Sequence, residues 1–153
     1  MEQDKNVLFY PSYGSEMRGG TANCTVKISD DLIASPVSKH PDIVFTMNAP
    51  AIDKFEGRLK PGGLLLVNSS IVPEDRTYRE DIQVVKIPAT DIAAEVQNPK
   101  GANLVMLGAL AAHSDLFTVE YMETAIVSFF EKKGKGKYNE KNVACYRRGV
   151  QGK

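Results

Sequence analysis

Residues 42–67 read DIVFTMNAPAIDKFEGRLKPGGLLLV, a stretch that contains a strand, a helix and a second strand in succession. Asp42 to Met47 is a nearly continuous apolar run, which is typical of a strand covered on both faces. Asn48 and Pro50 predict the start of a helix. The apolar face of that helix is formed by Ile52, Phe55 and Leu59. Leu64 to Val67 is then a second buried strand, and this order predicts a parallel sheet with helices packed on it.

The same alternation of strands and helices continues towards the C-terminus. Ile82 to Ile87 is predicted as a third strand, and a short helix follows it. Ala102 to His113 is apolar almost all round, which indicates a buried helix, and Gly108 within it indicates close packing against the sheet or a partner. Two further helices are predicted, one capped by Thr118 and one from about Asn139 to Arg148. The predicted fold class is α/β, with a Rossmann-like, mostly parallel sheet and flanking helices.

Upstream of residue 42 the pattern is that of antiparallel strands. Val7 to Tyr10 is a short apolar strand, and residues 21–29 alternate apolar with polar side chains at the period of two that a half-buried strand shows. A further short strand is predicted from Leu32 to Val37. The apolar positions of the 21–29 strand are Ala22, Cys24, Val26 and Ile28. We therefore predict an N-terminal hairpin in which Cys24 is a buried structural thiol.

Polar residues follow the predicted strands at the places where ligands gather in open α/β sheets. Asn48 follows the 42–47 strand, and Asn68 and Ser69 follow the 64–67 strand. The connection between the hairpin strands is dense in glycine, tyrosine and charge, which is typical of a loop that serves a site or an interface. The candidate residues in this connection are Tyr13, Gly14, Glu16, Arg18, Gly19 and Gly20.

Two interpretations of these candidate residues are open at this point. The Arg18 guanidinium, the amide and hydroxyl donors and nearby backbone N–H groups suit an anionic group such as a phosphate or a carboxylate. Alternatively, Asn48 is a helix cap, residues 68–70 form a turn, and Arg18 pairs with Glu16 at the surface.

Composition and motifs exclude several classes of function. Nineteen basic residues balance nineteen acidic ones, so we expect no binding of nucleic acid or of a membrane surface. Two cysteines are too few for a cysteine-ligated zinc or iron–sulfur site. The sequence has no apolar run of about 18 residues and no signal sequence, which predicts a cytoplasmic protein. No P-loop, G-x-S-x-G or H-E-x-x-H motif occurs, and His40 and His113 are interpreted as structural, so we expect no catalysis by this chain alone.

Four segments resemble one known family and occur in that family's order. They read YPSYGSEMRGGTANCTVKISD from Tyr10, IASPVSKHPDIVFTMN from Ile33, KPGGLLLVNSS from Lys60 and NPKGANLVMLGAL from Asn98. These segments are similar to the gamma subunit of 2-oxoacid:ferredoxin oxidoreductases, also called the pyruvate ferredoxin/flavodoxin oxidoreductase gamma domain. The resemblance implies a holoenzyme that oxidatively decarboxylates a 2-oxoacid with coenzyme A, giving an acyl-CoA, carbon dioxide and reduced ferredoxin.

The resemblance also implies which cofactors and partners are involved. Thiamine diphosphate and iron–sulfur clusters would lie in other subunits, so this chain would bind no cofactor alone and would border the active-site and coenzyme A region. Its partners would be the alpha and beta subunits and a ferredoxin-type subunit, and the isolated chain would be inactive, as a monomer or a homodimer. The TANC and KPGG segments resemble the 2-oxoglutarate branch more than the pyruvate or branched-chain ones. The candidate loop would then be an intersubunit element.

One departure from the family concerns the start of the chain. Family members begin with a strand and a glycine-rich loop that enters a helix, before the segment corresponding to Val7–Tyr10. We expect this first strand–helix unit to be missing, residues 1–6 to be a disordered or remnant N-terminus, and residues 7–150 to form a single gamma-type domain. Three explanations stay open: an internal Met as the start, a separate piece that supplies the unit, or a truncated product.

A second function from a different class also stays open. The chain would then be a stand-alone Rossmann-like module that binds a nucleotide or coenzyme A at the loop of residues 11–21.

Overall fold

A computed structural model describes residues 5–12, 22–35 and 38–152 of the 153-residue chain. The chain divides into two compact units, 1–41 and 42–153, and each is considered by itself. The first unit contains an antiparallel hairpin of strands β1 (Asn6–Ser12) and β2 (Asn23–Ser29). The described part of the second unit contains a parallel sheet of three strands and five α-helices.

The predicted N-terminal hairpin is confirmed, and it is longer than its apolar residues indicate. It is paired from Asn6 opposite Ser29 to Ser12 opposite Asn23. At its open end, Lys5 Nζ lies 2.5 Å from a carboxylate oxygen of Asp30. The disordered or remnant N-terminus predicted for residues 1–6 overlaps this hairpin at Asn6, the first residue of β1.

The prediction that Cys24 is buried is wrong, because this cysteine is exposed. The alternation of side chains does give the hairpin one apolar face. This apolar hairpin face is formed by Val7, Phe9 and Pro11 of β1 and by Cys24, Val26 and Ile28 of β2. The exposed fractions are 51% for Val7, 60% for Phe9 and 53% for Val26. The sequence pattern thus identifies the residues that share a face, whereas the burial of that face depends on what packs against it.

The strand predicted from Leu32 to Val37 is absent from residues 32–35, the described part of that segment. Leu32 is 90% exposed, and the backbone carbonyl of Ser35 accepts a hydrogen bond from Lys27 Nζ at 2.6 Å. A lysine side chain therefore holds a backbone group that a neighbouring strand would otherwise pair with. Apolar character alone does not make a strand where no ladder partner is present.

The sheet of the second unit has the order β3–β4–β5, with all strands parallel. Its strands are β3 (Ile43–Thr46), β4 (Leu64–Asn68) and β5 (Gln83–Ile87). Every residue of the central strand β4 is buried. The expectation that the 42–47 strand is covered on both faces is wrong at Phe45, which is 38% exposed. The reason is that β3 is an edge strand of the described sheet.

Helices cover both faces of the central strand. Leu64 and Leu66 pack in a core with residues of four helices, and Leu65 and Val67 pack in a second core with Ile52. The helices are α1 (Ala49–Phe55), α2 (Ala89–Glu95), α3 (Ala102–His113), α4 (Val119–Lys132) and α5 (Asn139–Gln151). Helix α1 lies in the second core, and the other four helices contribute to the first. The predicted α/β fold with flanking helices is confirmed.

Two glycines allow α3 and α5 to approach with their backbones in contact. A Cβ atom added at Gly108 would lie 2.0 Å from the carbonyl oxygen of Tyr146, and one added at Gly149 would lie 1.9 Å from that of Val105. The close packing predicted at Gly108 is present, and its neighbour is α5 rather than the sheet.

Among the described residues, no helix combines the length and the apolar character needed to cross a membrane.

Candidate functional site

Six of the nine candidate site residues belong to the connection between the two hairpin strands. They are Tyr13, Gly14, Glu16, Arg18, Gly19 and Gly20, and all six lie outside the described residues. The structure describes the strand ends that flank them, where Ser12 of β1 is opposite Asn23 of β2. These six positions therefore join two adjacent antiparallel strands, and their role in a site stays a prediction.

The other three candidates lie at one edge of the parallel sheet. Asn48 comes two residues after β3, Asn68 is the last residue of β4, and Ser69 follows it. Thr46 of β3 is opposite Val67 of β4, so the two strands end side by side. The carboxyl edge of an open parallel sheet is the usual place for a ligand.

Asn48 is the N-cap of α1, which confirms the capping interpretation. Its backbone is extended, and its side-chain Oδ1 accepts a hydrogen bond from the Ala51 N–H at 3.0 Å. The residue is exposed, and its amide Nδ2 takes no part in the cap. Capping therefore leaves Asn48 with a donor that a bound group can reach.

Both polar atoms of the Asn68 side-chain amide make hydrogen bonds within the fold. The residue is 1% exposed, its Nδ2 donates to Thr90 Oγ1 at 2.9 Å, and its Oδ1 accepts from the Thr90 N–H at 3.3 Å. These bonds connect the end of β4 to the first turn of α2. Both polar atoms of the Asn68 amide are therefore already used in holding the fold together.

The start of α2 explains why β4 ends in polar residues. Pro88 is the N-cap of α2 and makes no side-chain capping bond, so the first N–H groups of the helix need acceptors from elsewhere. Asn68 accepts from the N–H of Thr90, and Ser70 Oγ accepts from the N–H of Asp91 at 3.1 Å. Sequence reasoning missed Thr90 and Asp91 as partners, although a helix start at a proline was the available signal.

We expect the Asn68–Thr90 pair to behave as one unit in unfolding experiments. Asn68→Ala removes the acceptor of the half-buried Thr90 N–H and the donor to Thr90 Oγ1, and should lower the free energy of unfolding by about 1–3 kcal/mol. Thr90→Val removes the other acceptor of the pair. Because both substitutions break the same contact, the double variant should lose less stability than the sum of the single variants. Urea unfolding of the four proteins measures this, and strictly additive losses would contradict the contact.

Groups that could carry out chemistry are sparse among the described residues. Among residues 5–12, 22–35 and 38–152, no three His, Cys, Asp or Glu side chains lie together in a way that could hold a metal ion. Cys145 is completely buried, and burial raises the pKa of its thiol, which keeps it protonated and unreactive. His113 Nδ1 lies 2.9 Å from the carbonyl oxygen of Ala109 in its own helix. The described edge offers amide and hydroxyl groups for binding, without an acid–base pair beside them.

Comparison with characterised proteins gives relatives along almost the whole chain. The 2-oxoglutarate synthase subunit KorC of Methanocaldococcus jannaschii is 36% identical over 149 residues, which cover 97% of this chain and 78% of KorC. The ketoisovalerate oxidoreductase subunit VorA of Methanothermobacter marburgensis is 34% identical over 110 residues, which cover 72% of this chain and 23% of VorA. This chain therefore spans most of one relative and about a quarter of the other.

Solved structures share the fold. The gamma subunit of a keto/oxoacid ferredoxin oxidoreductase from Geobacter sulfurreducens matches 99% of this chain and 82% of its own, with a TM-score of 0.79 and 27% identity. The 2-oxoglutarate:ferredoxin oxidoreductase of Magnetococcus marinus, with 2-oxoglutarate, coenzyme A and succinyl-CoA bound, matches 95% of this chain and 25% of its own. Its TM-score is 0.81 at 21% identity, a likeness of fold alone.

The family described as pyruvate ferredoxin/flavodoxin oxidoreductase matches residues 1–152. The family predicted from the four sequence segments is thereby confirmed, and the chain belongs to the pyruvate ferredoxin/flavodoxin oxidoreductase family.

Proposed function

We propose that this chain is the gamma subunit of a 2-oxoacid:ferredoxin oxidoreductase and that the oxoacid is 2-oxoglutarate. The observation that carries the proposal is the 36% identity to the 2-oxoglutarate synthase subunit KorC across 97% of the chain. The complex would convert 2-oxoglutarate and coenzyme A to succinyl-CoA and carbon dioxide, and would pass two electrons to ferredoxin. The gamma chain would contribute to assembly and to the border of the site rather than to bond making.

The cysteines of this chain do not fit an iron–sulfur cluster, which requires four thiolates in its usual form. Cys24 is exposed on the hairpin and Cys145 is buried inside the second unit, and these are the two cysteines of the sequence. The proposal therefore assigns the clusters, and thiamine diphosphate with them, to other subunits. It requires of this chain only polar groups that border bound coenzyme A or a partner.

The groups that would border coenzyme A are those of the two candidate sets. Arg18 carries the charge that a phosphate of coenzyme A would require, and the glycines beside it in the sequence would let a bound group approach the backbone closely. Asn48 adds an exposed amide at the sheet edge. Ser69 is half-buried there, and Asn68 would act by holding the edge in place through Thr90.

The partners in the proposal are the alpha and beta subunits, with a ferredoxin-type subunit as the electron acceptor. The Geobacter sulfurreducens relative and the KorC relative are named as subunits, which supports membership of a complex. The proposal places the complex in the cytoplasm, with residues 7–150 acting as one functional module within it.

Reconstitution tests the proposal. The chain is coproduced with its alpha and beta subunits, and ferredoxin reduction is measured with 2-oxoglutarate, pyruvate and 2-oxoisovalerate in the presence of coenzyme A. We expect assembly of a complex with the highest turnover on 2-oxoglutarate. Higher turnover on pyruvate or 2-oxoisovalerate would refute the choice of oxoacid, and failure to assemble would refute the proposed subunit role.

Calorimetry of the isolated chain with coenzyme A separates this proposal from the stand-alone module. A gamma subunit that only borders the site should give no heat of binding, because most of the contacts to coenzyme A come from its partners. Micromolar binding would instead support the stand-alone module.

A further inference from the structure

The apolar hairpin face has the composition of a protein interface. Its strongest contributors are Phe9 at 60% exposure, Val26 at 53% and Val7 at 51%, and Cys24 lies exposed among them. Phe9 is directly opposite Val26, and Val7 is directly opposite Ile28, so their side chains form one contiguous surface. Contiguous apolar surface of this kind on a soluble domain marks a protein interaction site.

The opposite face of the hairpin is mainly polar, which makes the exposure of the apolar face informative. That other face pairs Asn6 with Ser29, Leu8 with Lys27, Tyr10 with Thr25 and Ser12 with Asn23. A two-stranded hairpin is marginally stable in water without something packed on its hydrophobic side. The β1–β2 hairpin therefore needs a cover on its apolar face, and that cover has to be uncharged and apolar.

The lengths of the relatives indicate which partner supplies the cover. In the Magnetococcus marinus enzyme the same fold, matched over 95% of this chain, makes up 25% of a longer chain, and in VorA the matched part makes up 23%. In KorC it makes up 78% of the subunit. The same module is thus a separate subunit in one relative and part of a longer chain in another. We infer that the separate subunit assembles with a partner equivalent to the rest of that longer chain.

We propose that the apolar hairpin face docks onto the partner subunit that corresponds to the remaining three quarters of the longer relatives. This inference rests on the proposed function and adds to it the surface through which assembly occurs. The face ends at Pro11 and Cys24, and the loop of candidate residues begins two positions after Pro11.

Paired charge substitutions test the docking in the complete complex. Phe9→Lys with Val26→Lys places two buried charges in the interface, and we expect the affinity of the chain for its partner to fall at least about 100-fold. The matched control is Tyr10→Lys with Thr25→Lys, which adds the same two charges at directly paired positions on the opposite face, where Tyr10 is 47% exposed. We expect the control to change the affinity by no more than about twofold.

The wild-type chain provides a second measurement that needs no substitution. Cys24 is exposed and Cys145 is buried, so a maleimide should label one thiol rapidly in the free chain. In the assembled complex we expect the labelling rate of Cys24 to fall at least about tenfold, because the partner covers it. This readout decides the question even if the double lysine variant fails to fold.

The outcomes separate this inference from the proposed function. A complex that forms and turns over, while Cys24 stays fully reactive and the lysine pair binds as well as wild type, overturns the docking surface and leaves the proposed function intact. A wild-type chain that binds no partner and supports no turnover overturns both. A free chain that dimerises through Phe9 and Val26, with partner binding unaffected, assigns the face to a second copy and also overturns the inference.

Discussion

Gly149→Ala is expected to lower the free energy of unfolding by about 3 kcal/mol, the upper end of what overpacking usually costs. The new methyl group would lie 1.9 Å from the backbone carbonyl oxygen of Val105, a separation that no rotamer change can relieve. Helices α3 and α5 would have to move apart, and both contribute to the larger of the two cores. The gain in helix propensity on replacing glycine by alanine is about 1 kcal/mol and offsets only part of this loss.

Urea unfolding of the purified chain measures the effect, and two further variants make it specific. Gly108→Ala adds a methyl group to the other side of the same crossing, 2.0 Å from the carbonyl oxygen of Tyr146, and should be comparably destabilising. Gly57→Ala is the control, because a Cβ atom there meets nothing within 4 Å. If Gly149→Ala were as stable as Gly57→Ala, the two helix backbones would not be in contact.

For elements with a strong local pattern, the first and last residues could be predicted from the sequence. The helix predicted from Ala102 to His113 has the same bounds as α3, because Pro99 and Gly101 interrupt the chain before it and a polar segment follows it. The run from Leu64 to Val67 is buried throughout, as its unbroken apolar character predicts for a central parallel strand.

Predictions that depended on a partner outside the local segment were the ones that went wrong. Cys24 and Val26 share a face as the alternation requires, yet the period of two contains no information about what covers that face. Leu32 begins an apolar run, yet Leu32 to Ser35 are not paired in a ladder. The burial of a side chain and the pairing of a strand each depend on two segments of the chain. A local sequence pattern describes only one of those segments.

The same distinction applies to the candidate site. The amide of Asn48 caps a helix that begins at the next residue, a local relation that the sequence predicts. The amide of Asn68 bonds to Thr90, which is 22 positions further along the chain. A polar residue at the end of a strand therefore allowed two interpretations. Its side chain could contact a ligand, or it could hold two elements of the fold together by hydrogen bonds. For Asn68 the structure supports the second interpretation, and a direct contact with a ligand stays a prediction.

Leu65→Ala and Leu66→Ala are each expected to lower the free energy of unfolding by about 3 kcal/mol, within the range for fully buried leucines. Both side chains are 0% exposed, and adjacent positions on a strand point to opposite faces. Leu66 packs in the core formed with α2, α3, α4 and α5. Leu65 packs in the smaller core with Ile52 of α1, and that helix carries the candidate residue Asn48 as its cap.

The comparison between these two leucines tests the layer that positions Asn48. Thermal or urea unfolding gives both losses, and Leu32→Ala is the matched control, since Leu32 is 90% exposed and should change stability by no more than about 0.5 kcal/mol. Equal losses of unfolding free energy at Leu65 and Leu66 would mean that the core beneath α1 is packed as tightly as the core on the other face of the sheet. A large loss at Leu66 with little loss at Leu65 would contradict this, because the α1 layer would then be loosely held and Asn48 would not be fixed at the edge of the sheet.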